Sequence, residues 1–316
     1  MTVWRPGGRV LAKMPNPVRA VTEQLVQRAR TRGVLPIADW IGQVPDPWSG
    51  LGEAGRAEGI VSCNICRWSG ASFLQPGHCE MTTCPRCGSI GRDRFLFWGL
   101  QNAVARPADG RRLRLLETSP RLGADYRAAM ARWFDYLCSD FDERAHSGMI
   151  RLDLQAIELP DACLDVILTP HVLEHVPDTD RALGELWRVL RPGGTMLLQV
   201  PLLQEATAPP VEPEFHGDDT PVLWRFGADL TDRLRGAGFA VRVLVTAELA
   251  GAVRDGDDVG FPWGEVTAAE FDVPALVAGL RRRSELSVVA GPEQTERYGF
   301  EPGYMYVTWA AVKPTS

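Results

Sequence analysis

The sequence predicts an α/β protein, a doubly wound and mostly parallel sheet preceded by a small metal-binding domain. Two stretches carry that expectation. Residues Leu164 to Pro201, LDVILTPHVLEHVPDTDRALGELWRVLRPGGTMLLQVP, read as strand, loop, helix, tight turn and strand without a break, which is one complete crossover unit of a parallel sheet. Ahead of it stand two CxxC pairs, Cys63-Asn-Ile-Cys66 and Cys84-Pro-Arg-Cys87, separated by 17 residues. Length supplies a third observation, since 316 residues are enough for two domains, one of them a full α/β unit.

Composition narrows the class. A hydrophobic content of 45% with mixed charge is ordinary for a globular protein, and no apolar run is long enough to cross a bilayer. The opening residues, MTVWRPGGRVLAKMPNPV, lack the apolar stretch of a secretory signal, so the cytoplasm is the expected compartment. Seven cysteines in a reducing compartment point first to metal binding. The net charge of -6 is uneven: residues 1–100 hold 12 Lys or Arg against 7 Asp or Glu, and the remainder is strongly acidic. That balance argues against a broad nucleic-acid surface, which needs a basic stripe.

Taken from the N-terminus, Pro17 to Arg32 has helical spacing, with Val18, Val21, Leu25 and Val26 on one face, and residues 40–60 are a Gly- and Pro-rich linker. Residues 1–60 are therefore expected to form a helix and linker able to cover the active site. Residues 61–105 follow as a zinc ribbon and connecting helix. Each CxxC pair places two thiolates on one knuckle, and together Cys63, Cys66, Cys84 and Cys87 make a closed tetrahedral zinc site. Gly88 permits the tight turn after the second pair. Such a site has no open position for substrate, so the metal is structural. Cys79, beside His78, lacks the knuckle spacing, and Cys138 and Cys163 fall in or beside strands. A redox role is weaker, because a thioredoxin-like motif needs one CxxC beside a βαβ unit and these pairs precede the sheet. Gly88 to Val104, strongly apolar at Phe95, Leu96, Trp98 and Leu100, reads as the helix leading into the second domain.

In the crossover unit, Val166 to Leu168 suits a strand buried on both faces, and Leu183, Leu186, Trp187 and Leu190 recur at helical spacing. Asp178 or Thr179 caps the helix, and Pro192, Gly193 and Gly194 end it before a strand at Thr195 to Val200. Ligands of such sheets bind where strands end and helices begin, here Thr169 to His175.

HVLEHVPD followed by a helix and LRPGG resembles the fourth and fifth strand region of class I S-adenosylmethionine-dependent methyltransferases, particularly those acting on small molecules. The resemblance covers about Arg111 to Leu244, with a last strand near Tyr304 to Val312. It implies a seven-stranded, mostly parallel sheet over residues 106–316 whose last strand is antiparallel, with an insertion at about 249–298. The ribbon adds a second likeness: zinc-ribbon methyltransferases of bacterial polysaccharide and natural-product pathways have a similar CPxCGSxxRxR phrase. On that likeness Arg92 and Arg94 point to the cofactor pocket, Arg94 as a fork for the methionyl carboxylate.

The same resemblance orders the pocket. LRLLETSPRLG, Leu113 to Gly123, takes the place of the first strand and its glycine-rich loop, but Glu117 is followed by Thr118, Ser119, Pro120, Arg121 and Leu122, and only Gly123 of the family's glycines remains. Glu117 is the expected acid near the methionyl amine, and Ser119 supplies a hydroxyl. Asp140, with Asp142 as the alternative, ends the second strand where a carboxylate accepts from ribose hydroxyls. Asp153-Leu154, after the short strand Met149 to Leu152, resembles the pair that reads the adenine edge.

Methyl transfer from a sulfonium is an in-line displacement in which alignment supplies much of the rate, so the enzyme needs little more than a base. His171, His175 four residues on, and His216 in the loop Pro210 to Phe239 are the candidates. That loop also brings Phe215, Asp218 and Trp224 and leads into a helix at Ala228 to Arg235, while Phe261, Pro262, Trp263 and a helix at Val273 to Arg283 suggest a substrate wall. The expected reaction is methyl transfer from S-adenosylmethionine to O, N or C of a small metabolite, such as a sugar or natural-product intermediate. The rival readings are an RNA base methyltransferase gripping RNA with the ribbon, a non-catalytic binding module, and another reaction of the sulfonium such as intramolecular alkylation. No membrane partner is expected, and oligomeric state is not legible.

Overall fold

The central strands are long apolar runs whose side chains alternate between two buried layers. A computed structural model of the chain describes residues 47–48, 59–74, 82–142, 150–215, 220–257, 272–300 and 307–315. The expected helix at Pro17 to Arg32, most of the linker, and His78, Cys79, His216, Asp218, Phe261, Pro262, Trp263 and Tyr304 lie outside those residues.

Among the described residues the main sheet has eight strands: β1 (Arg114–Thr118), β2 (Asp135–Asp140), β3 (Ile150–Arg151), β4 (Leu164–Pro170), β5 (Leu190–Gln199), β6 (Ala240–Thr246), β7 (Leu286–Ala290) and β8 (Thr308–Val312). Their spatial order is β7-β6-β8-β5-β4-β1-β2-β3. β8 is antiparallel to both neighbours, and every other pairing is parallel. The expected antiparallel last strand is thus in place, and one strand more than the expected seven is present. The extra strand, β7, comes from the stretch read as an insertion and pairs with β6 at the sheet edge.

Helices α1 (Gly91–Ala103), α2 (Ala124–Trp133), α3 (Thr179–Val189), α4 (Leu230–Gly236), α5 (Ala247–Asp255), α6 (Val273–Arg283) and α7 (Pro292–Tyr298) complete the chain order. Leu116, Ile167, Met196 and Leu198 point into one core layer with Leu183 and Leu186 of α3 and Leu276 of α6. Leu115, Val166, Leu168 and Leu197 point into the other, with Leu96 and Leu100 of α1 and Tyr126 and Met130 of α2. Burial on both faces is why these strands are continuous apolar runs. No helix among the described residues is long and apolar enough to cross a membrane.

Two local readings of the crossover unit change. Asp178 caps α3 by accepting from Arg181 N at 3.0 Å, but the following strand begins directly at Leu190. Pro192-Gly193-Gly194 is a bulge within β5, between the pairs Leu164/Leu190 and Val166/Thr195. Gly193 has φ +76°, and a Cβ on Gly194 would come within 2.9 Å of Arg191 O, so both positions need glycine. Trp187, expected on the buried stripe, sits half-exposed at its rim, where Lys313 Nζ lies 3.7 Å from its ring centre while donating to the carbonyls of Trp187 and Leu190. The indole lies at the rim because its face covers the buried ammonium of Lys313.

Candidate functional site

The two knuckles of the ribbon are built alike. Arg67 N donates to Cys63 O at 2.9 Å and Gly88 N to Cys84 O at 3.0 Å, with left-handed φ values of +58° and +71° at the two turns. The four Sγ atoms lie within 4.8 Å of one another, with Cys63–Cys87 at 3.7 Å and Cys66–Cys84 at 3.5 Å. A tetrahedral zinc with sulfur at about 2.3 Å separates its ligands by about 3.8 Å, so the four thiols fit that ion. Cys63, Cys66 and Cys84 are buried and share one apolar cluster with Ile65, Phe73 and the sheet residues Leu115 and Tyr136. The ribbon is therefore packed against the sheet, and its strands Val61–Ser62 and Ser69–Gly70 are two residues each.

Arg94 does not reach a ligand pocket, contrary to the expectation. Its guanidinium is 0% exposed and donates to the carbonyls of Tyr298 (2.6 Å), Ser89 (2.6 Å), Thr82 (3.0 Å) and Gly299 (3.3 Å), stacked over Phe73. Five fixed N–H donors suit such a cluster of carbonyls, and Arg94 clamps the ribbon to the C-terminal part of the domain. Arg92 is the arginine at the strand tips: its carbonyl accepts from Gln199 Nε2 at the end of β5 (3.4 Å).

The carboxyl ends of β3, β2, β1 and β4 are adjacent, and the crossover direction reverses between β1 and β4, the switch point where open α/β sheets bind ligands. Thr118 ends β1 with its hydroxyl bonded to that of Thr169 on β4 (3.0 Å), both side chains buried, so this pair ties the tips together. Ser119 then turns at φ +45°, a left-handed conformation at the place of the family's first glycine, and its Oγ donates to Asp140 Oδ2 at 2.8 Å. That bond, with Ser119 N to Ser139 O at 2.6 Å, holds a turn that a glycine would adopt unaided. Gly123 opens α2, and a Cβ there would meet nothing within 4 Å, so open space lies against the loop. Asp140 is half-buried at the end of β2 and also accepts from Asp142 N (3.1 Å). Asp153 follows β3 and accepts from Gln155 N (2.8 Å) through Oδ1, while Leu154 packs into the core.

Glu117 departs from its expected place by a methionyl amine. It lies on the α2 side of β1, 4% exposed, and its two oxygens accept from Tyr136 (2.7 Å) and Tyr126 (3.2 Å). Burial pushes its carboxyl up to about 7 from 4.5, with the two phenols pulling the other way. A raised carboxyl contributes stability that is complete below pH 4.5 and is lost as pH rises through 7. Glu117→Gln is therefore expected to match the wild type in denaturant unfolding at pH 5 and to exceed it by a few kcal/mol at pH 8. Parallel stability curves for the two proteins would show that the tyrosines keep the carboxylate ionised.

His171 leaves β4 at φ +51°, its N bonded to Gln199 O (2.7 Å), and a 3₁₀ turn, Leu173–His175, follows. His175 Nδ1 lies 2.7 Å from Pro221 O. Between the two imidazoles stands Glu174, a residue that the HVLEHVPD phrase contains but that its spacing does not single out, because nothing in a sequence distinguishes an inward from an outward acid on a one-turn helix.

Strand order, switch-point loop and acids at successive strand ends define the class I methyltransferase fold. Residues 110–198 match the family model described as a methyltransferase domain, and relatives similar to this chain are named as probable S-adenosylmethionine-dependent methyltransferases. It is 37% identical over 134 residues to a probable S-adenosylmethionine-dependent methyltransferase of Mycolicibacterium smegmatis, covering 38% of this chain and 48% of that protein. A probable S-adenosylmethionine-dependent methyltransferase of Mycobacterium tuberculosis is 33% identical over 131 residues, covering 37% and 44%. The matches thus span just under half of each relative. The crystal structure of the [4+2]-cyclase SpnF superposes with a TM-score of 0.38 at 19% identity, covering 71% of this chain and 82% of that one, a likeness too loose to bear on function.

Proposed function

We propose that the chain transfers a methyl group from S-adenosylmethionine to O, N or C of a small metabolite, with sugars and natural-product intermediates as candidate acceptors, and that a structural zinc on Cys63, Cys66, Cys84 and Cys87 holds the ribbon. The observation that carries this reading is the gathering of Ser119, Asp140, Asp153 and Thr169 at the carboxyl ends of four adjacent strands. When bound, the cofactor supplies an electrophilic methyl on a sulfonium.

The rest falls to the chain. Asp140 retains acceptor capacity for two ribose hydroxyls, since a carboxylate has about four lone-pair sites and two are used. Asp153 Oδ2 is available to an exocyclic amine. Ser119 and Gly123 line the loop at the methionyl end, and the Thr118–Thr169 pair keeps the tips of β1 and β4 in register. His171 and His175 stand where a proton leaves the acceptor, and His216 remains a third candidate outside the described residues. The four-thiolate site is closed and has no vacant coordination position, so its zinc would be structural.

Titration calorimetry with S-adenosylmethionine and with S-adenosylhomocysteine tests the reading directly. One-to-one binding of both is expected, and heat-free titrations of the zinc-loaded protein would end the proposal.

A further inference from the structure

The carboxyl group of Glu174 is the buried titratable group that the reaction above leaves without a task. Its side chain is 1% exposed, and neither carboxylate oxygen has a hydrogen-bond partner among the described residues. Both neighbouring imidazoles face the same oxygen: His171 Nδ1 is 3.7 Å from Oε1 and His175 Nε2 is 3.9 Å from it. The turn that aims the carboxyl inward is fixed by its own backbone, since Glu174 O accepts from Leu223 N (2.8 Å) and Trp224 N (3.2 Å). Among the described residues Arg92, at the start of α1, is the charged group acting on Glu174, and residues 220–224, whose Leu223 and Trp224 amides bond Glu174 O, carry no titratable side chain. Burial outweighs the pull of Arg92 and raises the carboxyl to about 8.

His-x-x-Glu-His is also a set of metal-type donors, but the geometry does not support an ion here. Among the described residues the four cysteines are the group whose ligand atoms fall within 4.8 Å of one another.

Proton placement follows from the partners. Pro221 O is a carbonyl and can only accept, so His175 Nδ1 carries a hydrogen. In a neutral imidazole Nε2 is then a lone pair, and it faces a carboxylate oxygen that is an acceptor too. Two acceptors facing each other beside a buried carboxyl repel unless one of them is protonated. We propose that Glu174 and His175 share one proton, and that Glu174 is the positioning residue that sets the protonation of both imidazoles at the exit of β4. This rests on the methyl-transfer reading for the reaction it serves. As the acceptor's new bond to the methyl carbon forms and the carbon–sulfur bond breaks, the proton of an O–H or N–H acceptor passes to His171. The shared proton then sits on His175, and the Glu174 carboxylate lies ionised between two imidazolium groups.

The test needs neither cofactor nor acceptor. Imidazole ¹⁵N titrations by NMR, assigned with H171N and H175N, are compared between the wild type and E174Q. Removal of the carboxyl is expected to move the midpoint of at least one of the two histidines by about one pH unit or more, the size expected for a charge within 4–6 Å. Midpoints unchanged in E174Q overturn the proposal. Should E174Q fail to fold, the wild type alone decides. An infrared band of a protonated carboxyl, or a cationic His175, is expected at neutral pH. A neutral His175 beside an ionised Glu174 at that pH would overturn it. Loss of cofactor binding in calorimetry would remove the methyl-transfer reading and leave these titrations standing.

Discussion

Removing the metal, or replacing Cys63 and Cys84 by serine together, is expected to unfold residues 59–74 and 82–90 and to weaken cofactor binding as well. The first effect follows from size. Among the described residues the ribbon's strands are two of two residues each, and a segment that small cannot build a core from its own side chains. Structural zinc in four-thiolate sites contributes roughly 10–16 kcal/mol of apparent binding free energy, which is folding free energy when the apo segment is unfolded. The second effect follows from contact. Arg121, in the loop that takes the place of the glycine-rich turn, donates to Gly88 O of the second knuckle (3.0 Å) and pairs with Asp93, the residue that caps α1 by accepting from Ile90 N (2.8 Å). Loss of the knuckle therefore releases the loop. Hydrogen exchange over residues 59–90 and metal analysis of the purified protein check this. A protein that contains no zinc and whose serine variant exchanges like the wild type would refute the structural-metal assignment.

Asp140→Ala is expected to raise the dissociation constant for S-adenosylhomocysteine by about 100-fold. Two hydroxyls donating to one carboxylate are worth about 1.5 kcal/mol or more each, and about 3 kcal/mol is two decades in affinity. Because Asp140 also accepts from Ser119, the loss has a second source, the freed turn at φ +45°. Ser119→Gly separates the two: glycine adopts that turn at little cost, so its binding should stay within about threefold of the wild type. Calorimetry on both variants decides, and equal losses would mean that the Ser119–Asp140 bond matters and a ribose contact of Asp140 does not.

The crossover unit was legible because its signals are local. Helical spacing and an acidic cap are properties of neighbours in sequence, and α3 (Thr179–Val189) starts after its Asp178 cap where they place it, although the glycine pair expected to end it forms the bulge in β5. The four cysteines come within one shell for a similar reason, since each knuckle is a short turn of its own. Trp187 shows the limit of periodicity, which marks a stripe and not its rim. β7 (Leu286–Ala290) shows another: LSVVA is a short apolar run, and only its pairing with β6 distinguishes a sheet edge from a wall of the pocket.

Side-chain direction was the harder matter. Arg94 and Glu117 stand on the predicted elements, yet a guanidinium and a carboxyl turn toward whichever partners the packing presents, here four carbonyls for one and two phenols for the other. By itself the amino-acid order determined the α/β class, the crossover unit, the thiol set and the strand ends at which Ser119, Asp140 and Asp153 fall, because those depend on spacing along the chain. Tertiary structure decided which charged groups face the cleft, the docking of the ribbon against the switch-point loop, and the placing of Glu174 between two histidines. Those depend on desolvation and on partners supplied by residues far away in sequence, and no local pattern records them.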